Sequence, residues 1–471
     1  MAKKHQPTLD TLASINTDGS RNFLRPADAK GPFTTWRRIT AAVLILIYLL
    51  LPWIQIGGHP ALFFDFSARR FYIFGAAFAA QDFWLAFFLV SGLGFTLYVV
   101  TSIFGRVWCG WTCPHTVFLE HVYRRIERWL EGNVSNQKRL DKMNWGEPEK
   151  MLRRGTKHAL FVLVSLGIAH MLVAYFISIP GLYDWVSHSP AEHWEGFLFV
   201  FVTAALLYFN FAWFREQLCL AICPYGRLQS ALIDDDSIVI GYDEDRGEPR
   251  GKPRTPGVGD CIDCKRCVQV CPTGIDIRQG LQMECVGCAN CIDACDVVMA
   301  HLGREKGLIR YDSLNGFKGQ GKRILRPRFF LYLFFLLMGA GAMTYAFTSV
   351  ESAYLLVTRM SGPPYYQTET QVRNQYNVRI VNKADSVQVF SIHIDPGQHP
   401  LTQLGDAQKI SVDPVGEVVV PLIVTTPIEG FEGTFPFDVW LETENSDLSL
   451  SRTVSFLGPN VAALNKEMVF E

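Results

Sequence analysis

The residues best equipped for chemistry are twelve cysteines, all between Cys109 and Cys295. Eight lie in two runs of identical spacing. Cys261, Cys264, Cys267 and Cys271 precede Pro272, and Cys285, Cys288, Cys291 and Cys295 precede Asp296. Each run reads C-x2-C-x2-C-x3-C, the ferredoxin-type spacing in which three thiolates hold one [4Fe–4S] cluster and the fourth reaches the other. The expected ligand sets are therefore crossed: Cys261, Cys264, Cys267 and Cys295 on a first cluster, Cys285, Cys288, Cys291 and Cys271 on a second. A zinc site or a disulfide framework is the plainer alternative, but zinc normally takes two C-x2-C pairs, not two runs of four. Asp296 replaces the proline expected after the second run and removes no ligand.

The other four cysteines form an internal echo, Cys109-Gly-Trp-Thr-Cys113-Pro114-His115 and Cys219-Leu-Ala-Ile-Cys223-Pro224-Tyr225. A spacing of four places the two thiols of each motif one turn apart on one helical face. Pro114 and Pro224 should weaken the helix directly afterwards. One such pair alone would read as small packing residues. Two pairs at equivalent positions point to a two-thiol or four-thiol site, suited to Cu(I) or an iron–sulfur centre, or to a redox-active dithiol. His115 and His121 follow the first motif and could complete a metal site. His170, beside Met171 inside an apolar run, is a ligand, a proton-relay group or a packing residue. No C-x-x-C-H, Walker or dinucleotide glycine fingerprint occurs, so neither covalent haem nor a bound nicotinamide is indicated.

The elements that must position these residues are apolar. Of 471 residues 49% are hydrophobic, with 34 Phe, a high share explained by several long runs without charge. They cover Ile39 to Phe64, with Ile39 to Leu51 as the core of the span, Phe83 to Gly105, Ala159 to Tyr183, Gly196 to Phe214 and Phe329 to Val350. Each offers about the 20 residues that a helix needs to cross a bilayer, so five spans are expected. The first begins behind a polar stretch with Lys3, Lys4, Arg21 and Arg25, which is not the pattern of a cleavable signal peptide. Arg37 and Arg38, the loop from Arg106 through Lys157, and the segment between spans four and five carry the excess of Lys and Arg. The opposite side has Arg69 and Arg70 alone. The positive-inside rule then puts the N-terminus, the 106–158 loop and the cluster segment in the cytoplasm. Five spans send the C-terminus across the membrane. The reducing environment that cluster thiolates require agrees with this. The net charge of −1 gives no nucleic-acid signal.

Beyond the fifth span the pattern changes to alternation, as in Tyr376-Asn-Val-Arg-Ile-Val, Val387-Gln-Val-Phe-Ser-Ile, Glu417-Val-Val-Val-Pro-Leu-Ile-Val and Phe437-Asp-Val-Trp-Leu. Turn signals at Asp395-Pro-Gly and Glu429-Gly separate these strands. Six or seven short strands suggest an immunoglobulin-like sandwich without its inter-sheet disulfide. The reading is a multi-domain integral membrane protein. It has a polar tail (1–35), a four-span membrane region with both C-x3-C-P motifs (36–225), an inserted two-cluster ferredoxin-like domain (226–327), a fifth span (328–350) and an all-β immunoglobulin-like domain (351–471).

With these pieces in place, the chain resembles the cytochrome c oxidase accessory proteins of the FixG/RdxA/CcoG family over nearly its full length. The resemblance rests on the membrane spans, the tandem C-x3-C-P motifs, the ferredoxin insert before span five and the cysteine-free sandwich. It implies a bacterial inner-membrane protein that serves copper delivery to a haem–copper oxidase by reducing Cu(II) to Cu(I). The implied cofactors are two [4Fe–4S] clusters on the eight cysteines. Copper is the further candidate, at a redox site on Cys109, Cys113, Cys219 and Cys223. The implied partners are the membrane, a copper chaperone or transporter, oxidase assembly factors and an electron donor that the sequence does not identify. Chemically, Cu(II) prefers N/O sites and thiolates prefer Cu(I), and a cluster passes the single electron required. Two other readings stand beside it: an electron relay to or from the quinone pool, and an assembly scaffold whose outer sandwich grips an oxidase subunit.

Overall fold

The computed structural model describes residues 14, 21–66, 70–79, 84–253, 255–320, 323 and 325–348. Between 352 and 459 it describes all but 385, 398, 406–408, 415, 430, 432 and 444–447. Lys3, Lys4 and Pro7 of the polar tail, Arg69, Gly430, and the outer ends of two apolar runs at Phe83 and Val350 lie outside the described residues. The chain forms two compact units, Met1–Phe66 with Trp84–Met343, and Ser67–Phe83 with Thr344–Glu471.

The first unit holds helices long and apolar enough to cross a membrane at Pro32–Trp53, Trp84–Phe104, Pro148–Ser187 and Trp194–Phe214; a fifth, Pro327–Tyr345, begins there. Large apolar side chains on them point outward, among them Ile47, Val90, Leu163, Phe201 and Leu337. A soluble core would bury them; a lipid surround is what such faces require. The third and fourth helices pack through Ala169, Val173, Val200 and Ala204, small residues that let two backbones approach. The third helix is interrupted. Ser178 takes φ 65°, because Pro180 lacks the amide for an intrahelical bond and its ring crowds the preceding turn. Pro180-Gly181 inside the apolar run is the signal for this break, and an assignment made on absence of charge alone passes over it.

The ferredoxin-type segment is built on an antiparallel pair, Val239–Tyr242 against Ile309–Asp312, in register Val239↔Asp312. The helices Arg266–Gln269 and Asn290–His301 pack beside it, around a core that includes Ile240, Ile277, Ile292 and Met299. This segment grips the first apolar helix. Asp293 accepts bonds from the backbone amides of Phe33 at 3.2 Å and Thr34 at 2.6 Å. It thereby satisfies donors that a helix N-terminus leaves unpaired. The fifth helix is tied in at its start, where Arg326 pairs with Asp234 and donates to the Ser102 carbonyl at 2.7 Å.

In the second unit, two sheets enclose a core that includes Tyr376, Phe390, Val439 and Phe456. In one sheet, Gln371–Asn382 lies between Glu417–Pro427 and Ala353–Arg359. In the other, Gln388–Asp395 lies between Ile410–Val412 and Phe435–Thr443, which pairs onward with Ser449–Phe456. Alternate residues of Gln371–Asn382 are buried, the period-two signature of a sandwich strand.

Candidate metal centre

The eight ferredoxin-type cysteines are brought together locally. Within each run the residues flanking the second cysteine take left-handed backbone: Asp263 and Lys265 around Cys264, Gly287 and Ala289 around Cys288. These turns curl the chain about a common centre. The thiols whose charges act on Cys295 are those of Cys267, Cys261 and Cys264. Those acting most on Cys291 are Cys288, Cys285 and Cys271. The fourth cysteine of each run therefore stands with the other run's triplet. Burial, reinforced by these like-charged neighbours, holds the thiols of Cys285 at about 11 and of Cys288 and Cys295 at about 12. Buried thiols crowded in this way are poor thiolates alone and become ligands when a cationic core supplies the charge. Two triplets that exchange their fourth thiol between the runs are the donor sets of two four-iron clusters. Asp296 accepts the Gly307 amide at 2.9 Å and so fastens its helix to the turn before the second strand.

The four remaining cysteines also converge. The charges acting on the Cys219 thiol are those of Cys113, Cys109 and Cys223, then Glu216. Burial pushes Cys109 up to about 12 and pushes Cys219 up as well. The local geometry corrects the expectation from spacing. Neither motif lies on one continuous helix face. Cys109 belongs to the short helix Val107–Trp111, and Cys113 is the N-cap of the next, Pro114–Phe118. Cys219 lies in the turn Leu218–Ile222, and Cys223 is the N-cap of Pro224–Leu232. The prolines open helices instead of weakening them, since the first helical position needs no amide and suits the fixed φ of proline. Four residues before each first cysteine the chain turns left-handed, at Gly105 (φ 57°) and Arg215 (φ 50°). The echo seen in sequence is thus repeated in backbone.

This second set abuts the ferredoxin loop. A Cβ on Gly110 would lie 2.7 Å from the carbonyl oxygens of Val286 and Gly287, between Cys285 and Cys288. Arg106 donates to the carbonyls of Met283 and, at 2.6 Å, Gly226, joining the cluster loop to the second motif. Arg37 donates to the Gly110 carbonyl at 2.9 Å and to Asn290 at 2.7 Å. Buried Gln229 accepts from Cys109 Sγ at 3.3 Å.

The histidines do not join the thiols. His115 Nε2 bonds the Arg215 carbonyl at 3.0 Å, its Nδ1 meets Asn210 at 3.2 Å, and its ring stacks on Phe211. Both nitrogens are engaged, and burial lowers its pKa to about 4, which keeps the ring neutral. His121 is likewise pushed down to about 4 by burial and then by Arg37. His170 uses Nδ1 on the Leu166 carbonyl of its own helix at 2.7 Å.

Sequence reasoning missed a buried ion network behind the C-x3-C-P pair. Arg124 is bonded to Glu120 and, at 3.1 Å, to Glu216. Arg215 is bonded to Glu127, and Lys157 lies 2.8 Å from Glu131. Burial alone would raise the Glu127 carboxyl, but Arg215, then Lys157, hold it down to about 2. The charge density of Glu120 to Glu131 is the trace this network leaves in the sequence, and a cytoplasmic loop would look the same.

Comparison with known proteins gives this arrangement a family. A "4Fe-4S dicluster domain" model matches residues 214–314, a "4Fe-4S binding domain" model residues 83–136, and the "IG-like fold at C-terminal of FixG" model residues 343–459. The chain is 34% identical to Protein RdxA of Cereibacter sphaeroides over 425 residues, covering 86% of this chain and 90% of that protein. The chain belongs to the FixG/RdxA family. The Nitrogen fixation protein FixG of Rhizobium meliloti is 31% identical, with 86% and 87% covered. A crystal structure of a FixG-related protein from Vibrio parahaemolyticus is 17% identical, matches 24% of this chain and all of its own, and has a TM-score of 0.22. This FixG-family chain is accordingly an iron–sulfur electron-transfer protein with membrane-spanning helices and an immunoglobulin-like domain. The stretch 83–136 contains Cys109 and Cys113 as its only cysteines.

Proposed function

We propose that this FixG-family protein reduces Cu(II) to Cu(I) for copper delivery during assembly of a haem–copper oxidase, with Cys109, Cys113, Cys219 and Cys223 as the copper-handling site. The observation that carries the reading is the convergence of these four thiols beside the Cys285–Cys288 loop. Bound iron–sulfur clusters on the other eight cysteines supply electrons one at a time. The balance is Cu(II) plus one electron to Cu(I). The soft thiolates retain the reduced ion better than the oxidised one, so the site favours the product. The cysteine motifs face the cytoplasm in this reading, the sandwich faces the periplasm of a bacterial inner membrane, and a chaperone or transporter takes the Cu(I).

A second reading has its own support: the four thiols hold a further iron–sulfur centre. A 4Fe–4S family model covers the first motif. One experiment separates the two. Replacing all four cysteines with Ser should abolish Cu(II) reduction, followed with a Cu(I)-specific chelator, and leave iron content unchanged. Loss of about four irons per chain, the content of one cubane cluster, would favour the further cluster, and unchanged reduction and copper binding would refute the site.

A further inference from the structure

At the opposite ends of the third and fourth apolar helices from the cysteine motifs lies a second group of donors, Asp184, His188 and His193. The fourth helix, Trp194–Phe214, has 21 residues, so about 30 Å of helix separates this group from Cys219. His188 Nδ1 bonds the Asp184 backbone carbonyl at 2.8 Å, which orients the ring, and the Asp184 carboxylate is 3.4 Å from that nitrogen and 3.9 Å from His193 Nε2. One donor atom from each of the three side chains lies within 4.8 Å of the others. Among the described residues it is the one group of three donors so close together.

Three features give this group the character of a site. Asp184 lies in the last turn of the helix that ends at Ser187, and His188 is its C-cap, one turn on, which brings the two side chains side by side. His193 is held from behind: its ring stacks on Trp185, with centroids 5.4 Å apart and planes at 17°. Trp185 in turn lies against Gly196, where any Cβ would collide with the indole. The local charge is also one-sided. Between Lys157 and Arg215 the chain has no Lys or Arg, while Glu192 and Glu195 flank His193. Both glutamates are exposed, so the field there draws cations.

We infer that Asp184, His188 and His193 bind one divalent late transition-metal ion, Cu(II) ahead of Zn(II), on the membrane face opposite the thiol sites. Two imidazoles and a carboxylate are the N/O donors that such ions take, and Cu(II) outranks Zn(II) at a given site of this kind. Three protein ligands leave positions for water, so the bound ion stays exchangeable. Trp185 and Gly196 act as positioning residues, setting the angle of His193. The inference is independent of the copper-reduction reading, because it rests on a different face and different donors.

The test uses the full-length, detergent-solubilised holoprotein, titrated with Cu(II) and, separately, Zn(II). In the Cys109/Cys113/Cys219/Cys223→Ser background, which removes thiol binding outside the ferredoxin sets, one equivalent of Cu(II) should give an EPR signal with nitrogen hyperfine splitting from two imidazoles. His188→Ala with His193→Ala should abolish that signal. Asp184→Asn, which keeps side-chain size, should weaken binding at least ~10-fold, and Trp185→Leu should weaken it by ~10-fold through loss of the ring support. Retained iron–sulfur absorbance verifies that the histidine variants fold. A Cu(II) signal indifferent to the histidines, or no stoichiometric binding of either ion, overturns the assignment. Tighter binding of Zn(II) than Cu(II) overturns the order of preference.

Discussion

The two ferredoxin-type ligand sets and the C-x3-C-P set are both made of cysteines, yet the fold assembles them by opposite means. The first eight cysteines lie between Cys261 and Cys295. Left-handed turns at Asp263, Lys265, Gly287 and Ala289 curl each run locally, while Arg106, Arg37 and Gly110 brace the second run from outside. The other four come from the ends of two membrane helices that are far apart in sequence. They meet where Pro224–Leu232 lies against Trp84–Phe104, with buried ion pairs holding the turns that lead into the motifs. A site written into one short stretch tolerates distant change. A site assembled from two helices depends on every contact that sets their relative position.

The largest test of this contrast is Glu127→Gln. Glu127 bonds Arg215, whose left-handed backbone leads into Cys219. Removing the charge strands a buried guanidinium, a loss of about 3–5 kcal/mol where a buried pair is broken from one side. The proposed four-thiol site should fail first: Cu(II) reduction falls sharply while iron on the ferredoxin cysteines, measured by absorbance and metal analysis, persists. Equal loss of both would mean that the two regions fold as one.

Acid should divide the regions next. Burial holds the His115 pKa at about 4 against an ordinary value of 6.5. The folded state therefore refuses a proton that the unfolded chain accepts below 6.5. Stability falls as pH drops from 6.5 to 4 and loses nothing further from this residue below 4, by at most about 3 kcal/mol. His115→Gln should make the fall of the melting temperature over that window shallower, with the part due to His121, also held at about 4, remaining. An unchanged slope would show that the ring is protonated in the fold.

This contrast also explains what the sequence disclosed. Spacing alone named the ferredoxin segment, because its ligand geometry is a short-range property of the backbone. Runs without charge named the helices, because lipid acts on composition. Alternation named the sandwich. Spacing also paired the C-x3-C-P motifs by their repetition, but it misjudged their backbone. A four-residue interval looks the same on a continuous helix and across a helix break, and Pro114 and Pro224 are compatible with either until the start of the next helix is known. The break at Ser178 is marked in the sequence by Pro180-Gly181 alone, because an apolar run records solvent, not continuity of hydrogen bonds. The Arg124–Glu216 and Glu127–Arg215 pairs join residues about 90 apart, and no local pattern encodes such a partner.

The finest test lies where the two regions touch. Gly110 sits between Cys109 and Trp111, and its absent side chain lets the Val286 and Gly287 carbonyls approach. Those residues lie between two ferredoxin-type ligands, so Gly110 governs how closely the membrane-edge thiols stand to the cluster loop. Gly110→Ala adds one methyl at 2.7 Å from two backbone oxygens, which are not flexible side-chain ends and must move as a unit. Overpacking of this kind costs about 1–3 kcal/mol. Arg106 and Arg37, bonded on either side, should keep the regions docked. Iron and copper content should therefore stay at wild-type levels while Cu(II) reduction slows, because the change enlarges a gap and removes no ligand. If reduction runs at the wild-type rate with the methyl in place, close approach at Gly110 is packing alone and the two thiol regions communicate elsewhere.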